Sequence, residues 1–435
     1  MKDLIIKGGR IIDPTQGIDE VGNILIADGL IKSIGKGTSI TPNAEVISAK
    51  GKVVCPGFID LHCHLRQPGF ENKETIATGT RAAARGGFTT VCCMPNTDPP
   101  LDNLPLVEYV KSVAEKEALV RMLPIGCITR GRKSEELADM AEMAAAGVVG
   151  FSDDGSYVKN ARLMRRAMEY SLPLGLPVVE HCEDSDLAMD GQMNEGIIAT
   201  RLGLCGIPAA AEEVAIARDI ILAELTGARL HIAHVSTVGS VELIRQAKRR
   251  GIKVTAEVTP HHLTMTEERV LGYNTNAKVN PPLRTQADID ALIAGLKDGT
   301  IDIIASDHAP HTLNEKLCEF GMATSGISGL ETALGSLMGL VHQGKLPLDL
   351  LISKLTSEPA RILGNIHGKL GTLAVGALAD ITVFDPDAEW TVDVEKFASK
   401  GKNTPLNGEK LKGKVMMTIY GGRIVYREGN EKLSF

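Results

Sequence analysis

Val54-Cys-Pro-Gly-Phe-Ile-Asp-Leu-His62-Cys-His64-Leu-Arg66-Gln-Pro-Gly69 is the stretch on which the reading of the whole chain turns. Val53 to Leu61 is largely apolar, β-branched at several positions, and runs straight into His62-Cys63-His64. Side chains two apart on a strand share a face, so His62 and His64 project the same way from one strand end. Two converging imidazoles suit a borderline-soft metal such as zinc. Two surface histidines at a strand end would read the same, so the weight falls on where the other histidines lie.

Working outward from that strand, apolar β-branched runs alternate with helical patterns. Strands are expected at 55–62, 89–95, 120–128, 148–154, 176–182, 229–236, 253–261 and 301–308. Between them Glu74 to Arg85, Ser134 to Ala146, Ala209 to Leu225, Val238 to Arg250 and Gln286 to Lys297 space their apolar residues by three and four. Gly86, Gly147, Gly227 and Gly251 follow as C-cap candidates. Eight strand–helix units predict an α/β fold of the closed (β/α)8, TIM-like kind, with an open doubly wound sheet as the alternative. The two ends of the chain read as short strands and turns. Leu4-Ile-Ile-Lys-Gly-Gly-Arg-Ile-Ile-Asp13 and Met417-Thr-Ile-Tyr-Gly-Gly-Arg-Ile-Val-Tyr426 echo one another and suggest equivalent hairpins. The expected division is 1–54 and 366–435 as the two parts of a small β-sandwich domain, with the barrel at 55–365 between them.

The barrel decides the function class, because its sites gather at the C-terminal ends of the strands. The predicted strands end in His62-x-His64, Asp153-Asp154-Gly155, Glu180-His181-Cys182, His231-Ile-Ala-His234 and Ser306-Asp307-His308. With only 11 histidines in the chain, that concentration predicts a metal pair held by four histidines and one or two carboxylates. Two metals ~3.5–4 Å apart need a spanning ligand, and Asp153 or Asp154 is placed to be it. A bridged water would ionise near neutral pH, and Asp307 beside it could carry its proton to a leaving nitrogen. The reaction class is hydrolysis, or the reverse condensation, at an amide-like carbonyl. Arg66 suits a substrate carboxylate through paired hydrogen bonds. Asn96, Asn280 and His311 are further polar candidates just beyond strand ends, although either asparagine could simply form a turn. His261-His262 and the basic run Lys248-Arg249-Arg250 read as structural, the latter as a helix end.

Composition narrows the rest. A net charge of −7 argues against a nucleic-acid binder, and there is no 18-residue apolar run or basic-then-apolar leader. Eight cysteines without a C-x-x-C pair read as buried small hydrophobes in a reducing, cytoplasmic setting. Aromatics at 3% require an aliphatic core.

Taken together the motifs resemble the cyclic amidohydrolase superfamily, and within it the class I dihydroorotases. The marks are Pro56 to Arg66 with Pro68-Gly69, Ala84-Arg85-Gly86-Gly87-Phe88-Thr89-Thr90, Met94-Pro95-Asn96-Thr97, Asp153-Asp154-Gly155 and His181-Cys182-Glu183-Asp184. His234-Val235-Ser236, Asn280-Pro281-Pro282-Leu283-Arg284 and Ser306-Asp307-His308-Ala309-Pro310-His311 complete them. The resemblance implies two zinc ions bridged by Asp154 and hydroxide, with His62, His64 and Asp307 on one and His181 and His234 on the other. It implies Asp307 as general acid/base, and substrate held by His64, Arg66, Asn96, Asn280, His311, Ser325 and Gly326. The implied reaction interconverts N-carbamoyl-L-aspartate and (S)-dihydroorotate in pyrimidine biosynthesis. It also implies a homo-oligomer and association with aspartate transcarbamoylase. Allantoinases, hydantoinases and dihydropyrimidinases are the sister alternatives. Most bridge their metals with a carboxylated lysine, for which Lys159 is the nearest candidate here; a scaffold that lost its ligands is the non-enzyme alternative. Ala323-Thr324-Ser325-Gly326 departs from the family's usual alanine-proline-phenylalanine-glycine segment. Residues 312–325 are expected to form a mobile lid.

Overall fold

Eight parallel segments close into a barrel, but three of the joins rest on single bridges. The computed structural model describes residues 3–38, 44–364 and 367–429, so the expected boundary at 365/366 lies outside the described residues. Phe58–Cys63, Phe88–Cys93 and Arg121–Pro124 pair in parallel. Val178–Glu180, Leu230–Ile232, Val254–Val258 and Ile303–Ile304 form a second parallel arc. Phe151 joins the arcs through Gly126 and Val178, and the pairing of Cys63 with His308 closes the ring. The amides of His64 and Asp307 seal that closure, donating to His308 O at 2.8 Å and His62 O at 3.0 Å.

The expected strand 148–154 is therefore reduced to a bridge at Phe151. Its continuation is replaced by a side chain: Asp153 Oδ1 accepts from the amides of Ile128 and Thr129 at 2.9 and 3.0 Å. The expected helix 134–146 shortens to Met140–Ala145. Arg130 N bonds Glu136 O and Ala138 N bonds Ile128 O, which lays 136–138 beside the preceding chain instead of coiling it. The other helices named from the sequence form close to their expected limits, as Ile76–Arg85, Ala209–Thr226, Val238–Arg249 and Gln286–Asp298. Thr75, Thr237 and Thr285 cap three of them, accepting from the amide three residues on, a contact worth ~1 kcal/mol.

Both ends of the chain share one sheet, ordered 423–427, 410–420, 381–391, 53–56, 4–13, 18–27 and 30–35, with 45–48 also on the strand 4–13. The sheet folds back on itself where Leu30 bridges Leu378 and Ile31 N bonds Ala377 O at 3.0 Å. Ile6, Ile24, Ile26, Ile31, Ile47, Ile381, Val383 and Ile419 fill the space between, an aliphatic core as the composition requires. The sequence echo does not mark equivalent hairpins. Gly8-Gly9 lies at a bulge within the continuous strand Leu4–Asp13, whereas Gly421-Gly422 turns the chain between 410–420 and 423–427. Phe58, Phe88 and Phe384 meet where the starts of two barrel strands touch this sheet, ring centroids 5.7 and 6.4 Å apart. The opposite strand ends are left for chemistry.

Candidate metal and substrate site

Period-two alternation aims His62 and His64 into the barrel mouth, where they meet Asp307 and Asp154. His64 Nε2 lies 3.0 Å and His62 Nε2 3.5 Å from Asp307 Oδ1. Asp154 sits at the centre: its Oδ1 is 3.4 Å from His62 Nε2, 3.5 Å from His234 Nε2 and 3.8 Å from His181 Nδ1. Its Oδ2 is 3.6 Å from His64 Nε2. His181 Nδ1 and His234 Nε2 point at each other across 2.9 Å. Two groups could each hold an ion, His62–His64–Asp154 and Asp154–His181–His234, all buried, with Asp154 common to both. Asp153, its neighbour, faces the other way into the amides of 128 and 129. Lys159 is exposed and outside the cluster.

The donor set fits a metal pair. His62 Nε2 and Asp154 Oδ1 are buried and have no hydrogen-bond partner among the described residues. Buried polar atoms are otherwise almost always satisfied, and a cation would satisfy both of these. Burial opposes ionising Asp154, yet His62, His234 and His64 hold its carboxyl well below the usual range. Asp307 is likewise held low against burial by His62 and His64. Backbone strain accompanies the chemistry: His234 and Asp307 have φ of 33° and 44°, and Arg66 has 60°. A residue in such a region costs ~1–3 kcal/mol and persists only where its surroundings over-determine it.

Two buried acids behind this cluster escaped the sequence reading. Glu257 Oε1 lies 2.6 Å from His62 Nδ1 and accepts from the His234 amide at 3.2 Å. Its Oε2 is 3.1 Å from His231 Nε2, so His231 serves Glu257 rather than the cluster. Against burial, His62 and His231 pull Glu257 down to about 2. Asp60 accepts from the amides of Ser306 and His62 at 2.8 and 3.2 Å and ties the first strand to the last. Its signal was present, because residues 60, 62 and 64 share a face; Glu257, inside the strand Val254–Val258, carried no distinctive neighbour.

The candidate substrate groups line the same mouth. Arg66 Nε donates to Pro310 O at 3.2 Å, and its Nη2 is 3.3 Å from His311 Nε2. Among the described residues no carboxylate lies within ion-pair distance of this guanidinium, and burial lowers its pKa to about 10. Asn96 Oδ1 is 2.9 Å from His64 Nδ1. Asn280 Oδ1 is buried without a partner. His311 Nε2 is 2.9 Å from Ser325 O, and burial together with Arg66 and Lys316 pushes this imidazole down to about 3, so it is neutral. His262 is satisfied by Thr259 and Pro281, as a structural histidine should be; His261 Nε2 is buried without a partner. Residues 312–325 contain the short helix Leu313–Lys316, and the buried Lys316 Nζ donates to Thr324 O at 2.7 Å and Thr275 O at 3.0 Å. Six of the cysteines are buried and all eight are unpaired. No helix among the described residues is long and apolar enough to cross a membrane.

Comparison with known proteins agrees with this geometry. Residues 51–240 match a family model described as dihydro-orotase-like, and residues 207–426 match the amidohydrolase family. The chain is 56% identical over 429 residues to a dihydroorotase of Caldanaerobacter subterraneus subsp. tengcongensis, covering 98% of each. It is 53% identical over 427 residues to a dihydroorotase of a Geobacter species, covering 98% of this chain and all of that one. Among solved structures, an L-hydantoinase from Arthrobacter aurescens superposes with a TM-score of 0.88 at 29% identity, over 99% and 97% of the two chains. The fold is thus shared across the cyclic amidohydrolases while sequence identity is nearly twice as high toward one branch, and the chain belongs to the dihydroorotases of the amidohydrolase superfamily.

Proposed function

We propose that the chain is a zinc-dependent dihydroorotase that interconverts N-carbamoyl-L-aspartate and (S)-dihydroorotate in the biosynthesis of UMP. The observation that carries the reading is Arg66, an enclosed guanidinium beside the metal cluster with no acidic side chain in ion-pair reach among the described residues. A half-buried cation without a counter-ion carries part of the cost of desolvating a charge, and a substrate carboxylate offsets it. The uncharged rings of hydantoin and dihydrouracil offer it nothing.

In this reading His62, His64 and Asp307 would hold one zinc and His181 and His234 the other, with Asp154 common to both groups. When bound, the pair supplies Lewis acidity at the ring carbonyl and a hydroxide at neutral pH. Asp307 does the proton work of the protein: its carboxylate takes the proton of the attacking water and returns it to the ring nitrogen that leaves. Arg66, Asn96, Asn280 and His311 fix the substrate, the unpartnered Asn280 Oδ1 being free for a ring N–H. His64 lends its edge to the same cavity, and the backbone of Ser325 and Gly326 closes it. Run backwards, the same groups close a ureido nitrogen onto a carboxyl. The division into a barrel at 55–365 and a terminal β domain from 1–54 and 366–435 is supported by the sheet that both ends share. Self-association is supported by Val214, Ile221 and Leu225, exposed along one face of the helix Ala209–Thr226.

Turnover of L-dihydroorotate by zinc-reconstituted protein, beside hydantoin, dihydrouracil and allantoin, tests the reading. Activity on dihydroorotate alone, reduced about 100-fold or more in kcat/KM by Arg66→Ala, is the expected result. Preference for an uncharged ring would move the chain to a sister activity, and zinc binding without turnover of any ring would make it a scaffold.

A further inference from the structure

The loop between strands 381–391 and 410–420 leaves the terminal sheet and crosses to the mouth of the barrel. Ala398 and Ser399 donate their amides to Glu331, both at 3.1 Å, and Lys400 N donates to Glu74 Oε1 at 3.2 Å. Gly401 then passes so close to the loop after the last barrel strand that a Cβ there would stand 2.5 Å from Pro310 Cβ and against Ser328 Oγ. This approach delivers Asn403, 3% exposed, between two segments that carry substrate-site residues. Asn403 Oδ1 accepts from His311 N and from Ser328 Oγ, both at 2.9 Å. Its Nδ2 donates to Ala309 O at 3.0 Å and Gly326 O at 2.9 Å. Its own carbonyl accepts from Ser328 N at 2.8 Å.

Every hydrogen-bonding capacity of the side chain is used, and the network fixes which end is oxygen. A buried carboxamide supplies two acceptor and two donor sites in one plane; no aspartate, serine or alanine can. Gly326 adds a second constraint, because a Cβ there would come 2.7 Å from Ala309 O. The 309–311 and 326–328 segments are thus pressed together, joined directly through Ala309 N to Ile327 O at 2.9 Å and cross-braced by Asn403 from the far end of the chain. We propose that Asn403 is a positioning residue for substrate, setting the separation of His311 from the Ser325–Gly326 backbone. The inference rests on the proposed role of those residues in holding dihydroorotate. It makes the terminal β unit a part of the substrate site, since its loop supplies the side-chain brace between the two segments while touching none of the metal-cluster residues.

The test compares Asn403→Ala and Asn403→Asp with Asn407→Ala, a control in the same loop whose side chain accepts only from Val394 N, at 3.3 Å. Steady-state kinetics on dihydroorotate, zinc per chain and thermal midpoint are read on each. Asn403→Ala is expected to raise KM about tenfold, with kcat within a few-fold of wild type and zinc content unchanged. Asn403→Asp should raise it further, because a carboxylate would face two carbonyl oxygens. Asn407→Ala should leave KM alone. An unchanged KM in Asn403→Ala, or a parallel loss of kcat, zinc and thermal stability, overturns the proposal. Should Asn403→Ala not fold, Gly401→Ala displaces the loop without deleting a hydrogen bond and should show the same KM signature. Insolubility of both assigns the loop to folding and overturns it too. A wild type inactive on dihydroorotate in both directions would instead sink the reading on which this rests.

Discussion

His62 and His64 meet the metal cluster with their far ring nitrogens already held, at 2.6 Å from Glu257 and 2.9 Å from Asn96, whereas the far nitrogen of His234, buried across Asp154, has no partner among the described residues. The two halves of the cluster are therefore fixed by different means. A hydrogen bond to the ring nitrogen that faces away from the cluster sets the tautomer and ring direction of a histidine before any ion arrives. On the His62/His64 side that task falls to side chains. On the other side it falls to the backbone, where His234 is held at φ 33° by the bond from its amide to Glu257. One carboxylate thus buttresses a ring in one half and a peptide in the other. Asp307 also belongs to the buttressed half, 3.0–3.5 Å from His64 and His62. On the proposed reading, the proton chemistry would sit where the candidate ligands are most firmly held.

Asp307→Asn tests that placement with the largest expected effect. It keeps the shape, removes the base and replaces a charged metal ligand by a neutral one, so with zinc per chain matched to wild type kcat should fall about 1,000-fold on dihydroorotate, as loss of a general acid/base does. A fall of less than about tenfold would put the proton carrier elsewhere and separate the chemistry from the buttressed half. Glu257→Gln comes next. It keeps a hydrogen bond to His62 and loses the charge, so the affinity of that half for zinc should drop about 10–100-fold. Zinc titration with a competing chelator should show one weakened site and one near wild type; equal weakening of both would mean that the two halves are supported alike. The same variant should lower the thermal midpoint, since His62 and His231 exchange a buried carboxylate partner for a neutral amide.

The contrast also explains what could be read in advance. His62, His64, Asp154, His181, His234 and Asp307 all stand at or just past strand ends, where alternation and a rare residue type speak together. The choice between Asp153 and Asp154 needed the resemblance, because both are aspartates and only the fold shows which carboxylate finds the amides of 128 and 129. The extent of the fourth strand was illegible for the same reason: a side chain took the place of the ladder. Glu257 and Asn403 were illegible on different grounds. Each acts through contacts far away in the chain, Glu257 on His62 and Asn403 on His311, and local pattern carries no information about partners 195 and 92 residues distant. Shape near the metal was written locally; support for that shape was not.

The smallest effect sharpens the comparison most. If the His181/His234 half lacks side-chain support, its ion should leave first when the protein is dialysed against a chelator. A time course of zinc per chain should then be biphasic, with the two phases separated by about tenfold, the low end of what a hydrogen bond to a ligand's far ring nitrogen is worth. Glu257→Gln assigns the phases, because it strips His62 of its carboxylate while the His234 ring keeps its surroundings. The slow phase should accelerate toward the fast one, and the fast phase should change little. A single phase in the wild type would show that Asp154, common to both groups, couples the ions so tightly that the difference in their supports never reaches the metal.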